Sequence, residues 1–183
     1  MGIPLEPIPV KLFIGMLSGD PAHFDRCAGL LTGHYGPLEL ESPVWKWDRS
    51  DYYREEMGAP LFRKFISFRN VVDPVILAAV RHHTNSVEAS LAVREASRVR
   101  RTVNLDPGYV TEAKVVLSTT KDFAHRVYIG DGIYAEVTLR YRKEEQGFIE
   151  MDHTYPDFRS AEIRAWFLDV RERLRATLSG RAR

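Results

Sequence analysis

The strongest constraint on the fold is a change of sequence period in the segment from Arg98 to Tyr141. Runs of β-branched and aromatic residues alternate there with short polar turns, which is typical of consecutive strands. The clearest turn is Gly130-Asp131-Gly132, since Asp and Gly tolerate the positive φ angles of tight hairpins. Strands joined in this way pair antiparallel. The four predicted strands are Val99–Leu105, Ala113–Ser118, Arg126–Ile129 and Ile133–Tyr141.

Shorter stretches upstream predict further strands. The run from Val10 to Leu17 is apolar enough for a buried strand and ends at Ser18-Gly19. Leu38 and Leu40 alternate with two glutamates, which indicates a half-buried strand. The alternation of Phe with basic residues between Leu61 and Phe68 predicts another strand.

Helices are predicted at three places. Asp20-Pro21 and Asp73-Pro74 each put an N-cap residue directly before a proline that suits the first helical position. Near the C-terminus, apolar residues recur at helical spacing with charges on the other face. The predicted helices run to about Gly33 or Gly36, to about Ala96, and from about Ser160 to Leu178.

Together these elements predict the α+β class. We expect a mixed, mostly antiparallel sheet packed against about three helices in a single two-layer domain. The 183 residues suit one domain. This domain is predicted to cover residues 10–180, after an extended Pro-rich arm at residues 1–9.

Charge and cysteine content narrow the class of protein. The 26 basic and 25 acidic residues argue against a non-specific binder of polyanions, which shows a basic excess. The single cysteine, Cys27, excludes a disulfide within the chain and fits a reducing compartment. We find no apolar run long enough to span a membrane and no signal peptide, so the expected location is the cytoplasm and no membrane partner is expected.

The common sequence signatures of catalysis are absent. The chain contains no P-loop, no dinucleotide-binding glycine motif, no nucleophile elbow and no His-Glu-x-x-His pair. The prediction of a site therefore rests on polar residues clustered near strand ends, between Asn104 and Glu136.

The first cluster surrounds Asp106-Pro107-Gly108, which is predicted to be a turn that presents Asn104 and Asp106. Asp-Pro-Gly is a good turn sequence in its own right, so Asp106 fits turn chemistry as well as site chemistry. Asn104 is harder to explain in this way, because Asn is depleted in β-rich segments. Tyr109, directly after the turn, is included among the predicted ligand contacts.

The second cluster contains Thr119, Thr120, Lys121, His125 and Arg126. Arg grips carboxylates or phosphates through two hydrogen bonds, Lys acts as a point charge, and hydroxyls add donors. This set of residues predicts recognition of an anion. The alternative is a solvated loop between two strands.

Glu136 lies in a predicted strand and shares with Tyr134, Thr138 and Arg140 a face that is either polar and solvated or the floor of a site. One interpretation is a structural pair with Arg126 across the hairpin. The other is a general base or metal ligand, and on that interpretation Glu136, His125 and Asp106 are the candidate catalytic residues.

A divalent metal is an open alternative for these groups. His153 with His125, Glu136 or Asp106 would offer suitable ligands. No local spacing supports such a site, so we predict no metal ligands and leave the cofactor unassigned.

Several stretches together resemble a prokaryotic family, the domain-of-unknown-function family numbered 4416. The resemblance covers nearly the whole chain from Val10 onward. Some members carry a GTP-binding label, and this sequence has no P-loop to match it. Family members usually show Trp-Thr-Tyr-Pro-Asp-Tyr where this chain has His153 to Phe158. The stretches that carry the resemblance are Val10–Leu17, Tyr53–Gly58, Leu61–Phe68, Thr84-Asn85 with Glu88, Val103–Tyr109, Leu117–Lys121, His125–Leu139 and Thr154–Phe158.

The leading hypothesis is a small enzyme or binding protein for an anionic, phosphorylated or nucleotide-like ligand. An RNA-binding or RNA-processing accessory module is the first alternative, suggested by the basic run Arg94, Arg98, Arg100 and Arg101. A protein-interaction subunit without catalysis is the second, suggested by Trp45 and Trp47 if both point to one exposed face. The oligomeric state is left open.

Overall fold

The computed structural model describes residues 2–47, 57–95 and 98–181. Its sheet is built around β1 (Val10–Ser18), which is buried along its whole length. Alternate side chains of β1 point to opposite faces. Leu12, Ile14 and Met16 join one apolar cluster and Phe13 joins another, so both faces of the central strand are covered.

In the described part of the chain, nine strands form the sheet, in the order β11-β10-β8-β7-β1-β4-β2, with β3 beside β4 and β9 beside β10. All the pairs are antiparallel. A separate two-stranded sheet joins β5 to β6. The strands after β1 are β2 (Leu38–Glu41), β3 (Trp45–Trp47), β4 (Leu61–Val72), β5 (Val93–Glu95), β6 (Arg98–Arg100), β7 (Val103–Val110), β8 (Lys114–Thr119), β9 (Val127–Gly130), β10 (Ile133–Arg142) and β11 (Gly147–Glu150).

The helices of the described residues are α1 (Ala22–Tyr35), α2 (Leu77–Leu91, after a 3₁₀ turn at Pro74–Ile76) and α3 (Ala161–Arg181). The predicted caps are present: Asp20 Oδ1 accepts a hydrogen bond from the backbone N–H of Ala22 at 2.9 Å, and Asp73 Oδ1 accepts one from Val75 at 2.8 Å. These helices and the mostly antiparallel sheet confirm the α+β class.

The helices lie on both faces of the sheet. Side chains of α1 and α2 pack in the cluster of Leu12, Ile14 and Met16, whereas α3 packs in the cluster of Phe13 and Phe65. The sheet therefore lies between helices on both sides, whereas the sequence predicted helices on one side only. Helical spacing shows which face of a helix is apolar, but it does not show which side of a sheet that face packs against.

The second helix is shorter than predicted. It ends at Leu91, and Val93 already begins β5. The hydroxyl of Thr102 donates to the carbonyl of Leu91 at 3.0 Å, so the helix end is satisfied by the returning hairpin. Ala96, the predicted end, lies outside the described residues.

The predicted turn at Asp106-Pro107-Gly108 is wrong. These three residues continue β7, which pairs with β1 along its whole length, from Ser18↔Val103 to Lys11↔Val110. A Cβ on Gly108 would lie 2.3 Å from the carbonyl oxygen of Val116 and 2.6 Å from the ring of Phe13. Long-range pairing and this close approach override the local turn preference.

Strands β7 and β8 separate on the N-terminal side of Gly108 in β7. Their register runs only from Gly108↔Leu117 to Val110↔Val115. Beyond it, the hydroxyl of Ser118 donates to the carbonyl of Pro107 at 2.9 Å. Proline has no N–H to offer a neighbouring strand, which suits the point where the two strands separate.

Side chains of α2 complete the backbone of β7 in this gap. The carbonyl of Leu105 accepts a hydrogen bond from Arg81 Nη1 at 2.6 Å, and its N–H donates to Glu88 Oε1 at 2.7 Å. Arg81 and Glu88 are both buried. They therefore satisfy β7 where β8 has left it, and the sheet stays open at this point.

Of the two interpretations of the Glu136 face of β10, the solvated one is wrong. Glu136 is 3% exposed and Thr138 is fully buried. The register with β8 shifts between Val137 and Leu139, so this bulge places Glu136 and Leu139 on the same face of the strand, opposite Leu117 and Val115 respectively. Strict alternation does not anticipate a bulge.

Among the described residues, no helix is both long and apolar enough to cross a membrane.

We expect Gly108→Ala to lower the free energy of unfolding by about 3 kcal/mol, because the added methyl group would overlap backbone and a buried ring. Urea unfolding measures the loss. Gly29→Ala is the matched control: Gly29 lies within α1, nothing lies within 4 Å of an added Cβ, and a gain of about 0.5–1 kcal/mol is expected. Equal effects of the two changes would contradict the close packing of β7 against β8 and β1.

Candidate functional site

A cavity of about 440 Å³ lies where β7 and β8 part. Its walls come from the sheet, from α2 and from the segment between β11 and α3. It is lined by Leu17, Trp47, Arg63, Arg81, Arg101, Asn104, Asp106, Leu117, Ser118, Thr119, Thr120, Lys121, Glu136, Tyr155, Pro156, Asp157 and Phe158.

Asp106 occupies the middle of an ionic network in this cavity. Its Oδ2 lies 2.8 Å from Arg63 Nη1, and its Oδ1 accepts a hydrogen bond from Asn104 Nδ2 at 2.9 Å. Arg81 Nη1 lies 3.9 Å from Oδ1. Burial alone would raise the pKa of Asp106, but Arg63 and Arg81 outweigh it and hold the pKa below its ordinary value.

Gly15 lets Arg63 reach this carboxylate. Arg63 is on β4 and Asp106 is on β7, with β1 between them, and Gly15 pairs directly with Asp106. A Cβ on Gly15 would lie 2.9 Å from Arg63 Nη2. The guanidinium carbon also lies 4.7 Å from the centre of the Phe65 ring. A glycine inside the central strand thus makes room for the arginine to cross it.

Asp157 contacts the same guanidinium from the other side. Its Oδ2 lies 3.2 Å from Arg63 Nε, and its side chain is 12% exposed. Burial raises the pKa of Asp157, the Arg63 charge opposes that rise, and the negative charge of Asp106 adds to it. Asp157 and Ser160 are both residue types that cap helices. Ser160 Oγ accepts a hydrogen bond from Ile163 N–H at 3.3 Å, and Asp157 belongs to the cavity.

Glu88, on α2, contacts both the backbone of Leu105 and the side chain of Arg101. Its Oε2 lies 3.3 Å from Arg101 Nη1, and the same nitrogen donates to Asn104 Oδ1 at 3.3 Å. Burial raises the pKa of Glu88, while the Leu105 N–H and the charges of Arg81 and Arg101 oppose the rise. A buried helix carboxylate therefore positions Arg101 at the cavity.

Arg126 and His125, which belong to the second predicted cluster, contact the carboxylate of Glu136. Its Oε2 accepts a hydrogen bond from Arg126 Nε at 2.7 Å and lies 3.1 Å from His125 Nε2. Arg126 also donates to the hydroxyl of Tyr155 at 2.7 Å and to the carbonyl of Lys121 at 3.0 Å. The pair of Arg126 and Glu136 that we considered from sequence is present, and it braces the loop that carries Lys121.

His125 stacks on His153 with ring centres 4.1 Å apart, and His153 Nε2 lies 2.9 Å from the carbonyl oxygen of Val137. His125 and Arg126 are not among the residues that line the cavity. They contact Glu136, whose other side faces the cavity.

Of the remaining predicted site residues, Asn104, Asp106, Thr119, Thr120 and Lys121 line the cavity together with Glu136. Tyr109 does not. It pairs with Leu12 and Val116 in mid-sheet, and strand alternation places it on the face opposite Asp106. Because Asp106-Pro107-Gly108 is part of a strand and not a turn, Tyr109 does not line the cavity with the other predicted site residues.

The sequence analysis did not assign Arg63, Arg81, Arg101, Trp47 or the segment Tyr155–Phe158 to this site, and it gave Arg101 and Trp47 other roles. Two signals were available. Arg63 alternates with Leu61 and Phe65 on an apolar strand face, and Arg81 and Glu88 lie among the apolar residues of the core face of α2. A charged side chain on an apolar, buried face needs an ionic or hydrogen-bonding partner. A cavity lined by such buried charged pairs is a candidate functional site.

Within residues 2–47, 57–95 and 98–181, no group of three or more His, Cys, Asp or Glu side chains is arranged to hold a metal ion. Most of the stretch Tyr53–Gly58, which contributed to the family resemblance, lies outside these residues.

The comparison with family models gives a match over residues 8–174 to a family described as "Domain of unknown function (DUF4416)". No curated protein and no solved structure matches the chain.

We expect Asp106→Asn to lower the free energy of unfolding by about 3 kcal/mol at neutral pH, because the buried Arg63 loses a charged partner. The folded-state pKa of Asp106 is lowered, so its contribution is present above the ordinary carboxyl pKa and is lost as pH falls through the folded value. Urea midpoints of the two proteins should therefore converge in acid. Asp25→Asn, at an 89% exposed carboxylate, should leave the midpoint unchanged. A pH-independent gap would contradict the ionic role of Asp106.

The contact of Glu88 with the Leu105 backbone predicts a graded series. Glu88→Gln keeps an oxygen that can accept from the Leu105 N–H, whereas Glu88→Ala leaves that buried N–H without a partner. We expect the alanine variant to be about 2 kcal/mol less stable than the glutamine variant by chemical denaturation. If the two variants are equally stable, the N–H of Leu105 does not depend on Glu88.

Proposed function

The chain belongs to the DUF4416 family, whose description assigns no activity, and from the geometry of the cavity we propose that this protein binds a small anionic ligand there, phosphorylated or nucleotide-like in character. One observation carries the proposal. Arg63, Arg81, Arg101 and Lys121 come from β4, α2, the β6–β7 connection and the loop after β8, and all four line one cavity.

The carboxylates of the described residues that line the cavity are themselves paired. Asp106 and Asp157 share Arg63, and Glu136 pairs with Arg126, which lies behind the cavity wall. Among the described residues that line the cavity, four basic side chains therefore occur with three carboxylates. A low-dielectric cleft with an excess of one charge attracts ligands of the opposite charge.

Hydroxyl groups add neutral donors at the rim. Thr119 and Thr120 stand beside Lys121, and the hydroxyl of Thr119 already accepts a hydrogen bond from the Lys121 N–H at 3.2 Å. Hydroxyls and loop amides next to a Lys and an Arg form the kind of donor set that oxyanions use.

An apolar wall faces these donors. Leu17, Trp47 and Phe158 line the same cavity. Ligand sites combine apolar walls with a few placed polar groups. This wall suits the carbon skeleton or ring of a phosphorylated metabolite, which supports a small organic anion over a bare inorganic one.

The position of Arg101 weighs against the RNA alternative. That alternative treated Arg94, Arg98, Arg100 and Arg101 as one basic run. Arg101 lines the cavity and contacts Glu88, while Arg100 is exposed on the β5–β6 hairpin. The basic residues of this segment thus divide between two environments.

A thermal-shift screen over nucleotides and sugar phosphates tests the proposal. A ligand present at 100 times its dissociation constant stabilises the folded state by about 2.7 kcal/mol. Lys121→Ala should weaken a hit about tenfold, equivalent to about 1.4 kcal/mol. Lys114→Ala is the matched control, since Lys114 is an exposed lysine at the other end of β8 and does not line the cavity.

A hit that survives Lys121→Ala and Arg101→Gln unchanged would place binding elsewhere. Arg100→Gln, one residue from Arg101 and exposed, controls for general loss of positive charge. The absence of any stabilising anion across the screen would contradict the proposed function itself.

A further inference from the structure

The two aspartates of the cavity have different surroundings although they share one guanidinium. Asp106 faces two cations and an amide donor: Arg63 Nη1 at 2.8 Å, Arg81 Nη1 at 3.9 Å and Asn104 Nδ2 at 2.9 Å. Each of these contacts favours the ionised form of a carboxyl group.

Asp157 faces one cation instead of two, and it also accepts hydrogen bonds from its own backbone N–H and from that of Phe158. Its side chain is 12% exposed and lies 3.2 Å from Arg63 Nε. The charged side chains that face it are Arg63 from β4 and Asp106 from β7, and the second of these is of like sign. Arg63 lies between the two carboxylates, and Arg81 adds a second cation on the Asp106 side, so ionisation is favoured at Asp106 over the less exposed Asp157. The pKa values move in opposite directions, that of Asp157 upward through burial and that of Asp106 downward.

On the basis of the proposed function, we propose that Asp157 meets the bound oxyanion as a neutral acid and donates a hydrogen bond to it, while Asp106 stays a carboxylate and accepts a hydrogen bond from a hydroxyl of the same ligand. The ligand class is then a phosphorylated polyol or sugar. Both groups can reach one small molecule, because both contact the same guanidinium and line the same cavity.

The hydroxyl is required by the chemistry of Asp106. A carboxylate has about four lone-pair positions, and Arg63 and Asn104 occupy two of them. An oxyanion placed directly against Asp106 would be repelled, whereas a hydroxyl that donates to it is attracted. A ligand fits these groups if its phosphate lies near the cations Arg101 and Lys121 and its hydroxyl lies near the carboxylate of Asp106.

The free protein provides the first test. Carbon-13 NMR titration of the aspartate carboxyl groups, assigned with Asp157→Asn and Asp106→Asn, reports each protonation state without any ligand. We expect Asp157 to titrate above the ordinary aspartate range and Asp106 below it. Titration of Asp157 within or below that range would overturn the proposal. This result does not depend on the proposed function.

The second test uses two phosphate monoesters that differ only in hydroxyl groups, glycerol 3-phosphate and propyl phosphate, measured by calorimetry. The wild-type protein should bind glycerol 3-phosphate about tenfold more tightly, since a site built to accept a hydroxyl discriminates against a ligand without one. Asp106→Asn should lose most of that preference. Equal binding of the two esters by the wild type would overturn the assignment of Asp106.

The pH dependence of binding separates the role of Asp157. Affinity of the wild type should fall as pH rises through the Asp157 titration, because the acid loses the proton that it donates. Asp157→Asn retains an amide donor, so its affinity should change less with pH. Ionisation of the phosphate is common to both proteins, so the difference between their profiles reports Asp157, and parallel profiles would overturn its role as a donor.

Outcomes that concern the proposed function remain distinguishable. If neither ester binds, the anionic-ligand proposal fails for this class, and the carboxyl titration still decides the proton states. If Asp106→Asn does not fold, the wild-type ester comparison and the Asp157→Asn profile decide the two roles without it.

Discussion

The structure depends on how the backbone of Leu105 is satisfied where β7 and β8 separate. A buried N–H and C=O without partners would cost several kcal/mol. Here Glu88 accepts from the N–H and Arg81 donates to the carbonyl, so two side chains of α2 take the place of a neighbouring strand. The sheet can therefore remain open over a cavity in the middle of the fold, and the groups that hold it open carry charge into that cavity.

The charged groups of the cavity therefore have a structural role. Burying an ion is costly unless it is paired, and Arg63, with 4% of its side chain exposed, is paired with Asp106 and Asp157. This pairing needs Gly15, whose missing side chain leaves the path across β1 open. The polar lining is thus fixed by residues of β1, β4, β7 and α2, and its groups are already oriented in the absence of a ligand.

Local chemistry in the sequence predicted the parts of the fold that are locally determined. The caps at Asp20 and Asp73 act on the next two residues, and the Gly130-Asp131-Gly132 turn defines its own hairpin. The failures were non-local. Asp106-Pro107-Gly108 has good turn chemistry but is held straight by eight residue pairs with β1. Asn104, Lys121 and Glu136 were assigned to one candidate site because they are polar within a β-rich region, and the three residues line one cavity. Arg63 and Arg81 were missed because their partners lie far away in sequence.

The narrow junction of β7 with β8 has a mechanical consequence. Three residue pairs, Gly108 to Val110 with Leu117 to Val115, join the half of the sheet that contains β1 and β4 to the half that contains β8 and β10. The cavity lies along this seam, with Arg63 on one side and Lys121 and Glu136 on the other. A molecule bound there ties the halves together, so its binding energy is also energy against their separation, and backbone amides on both sides would exchange their protons more slowly as a unit.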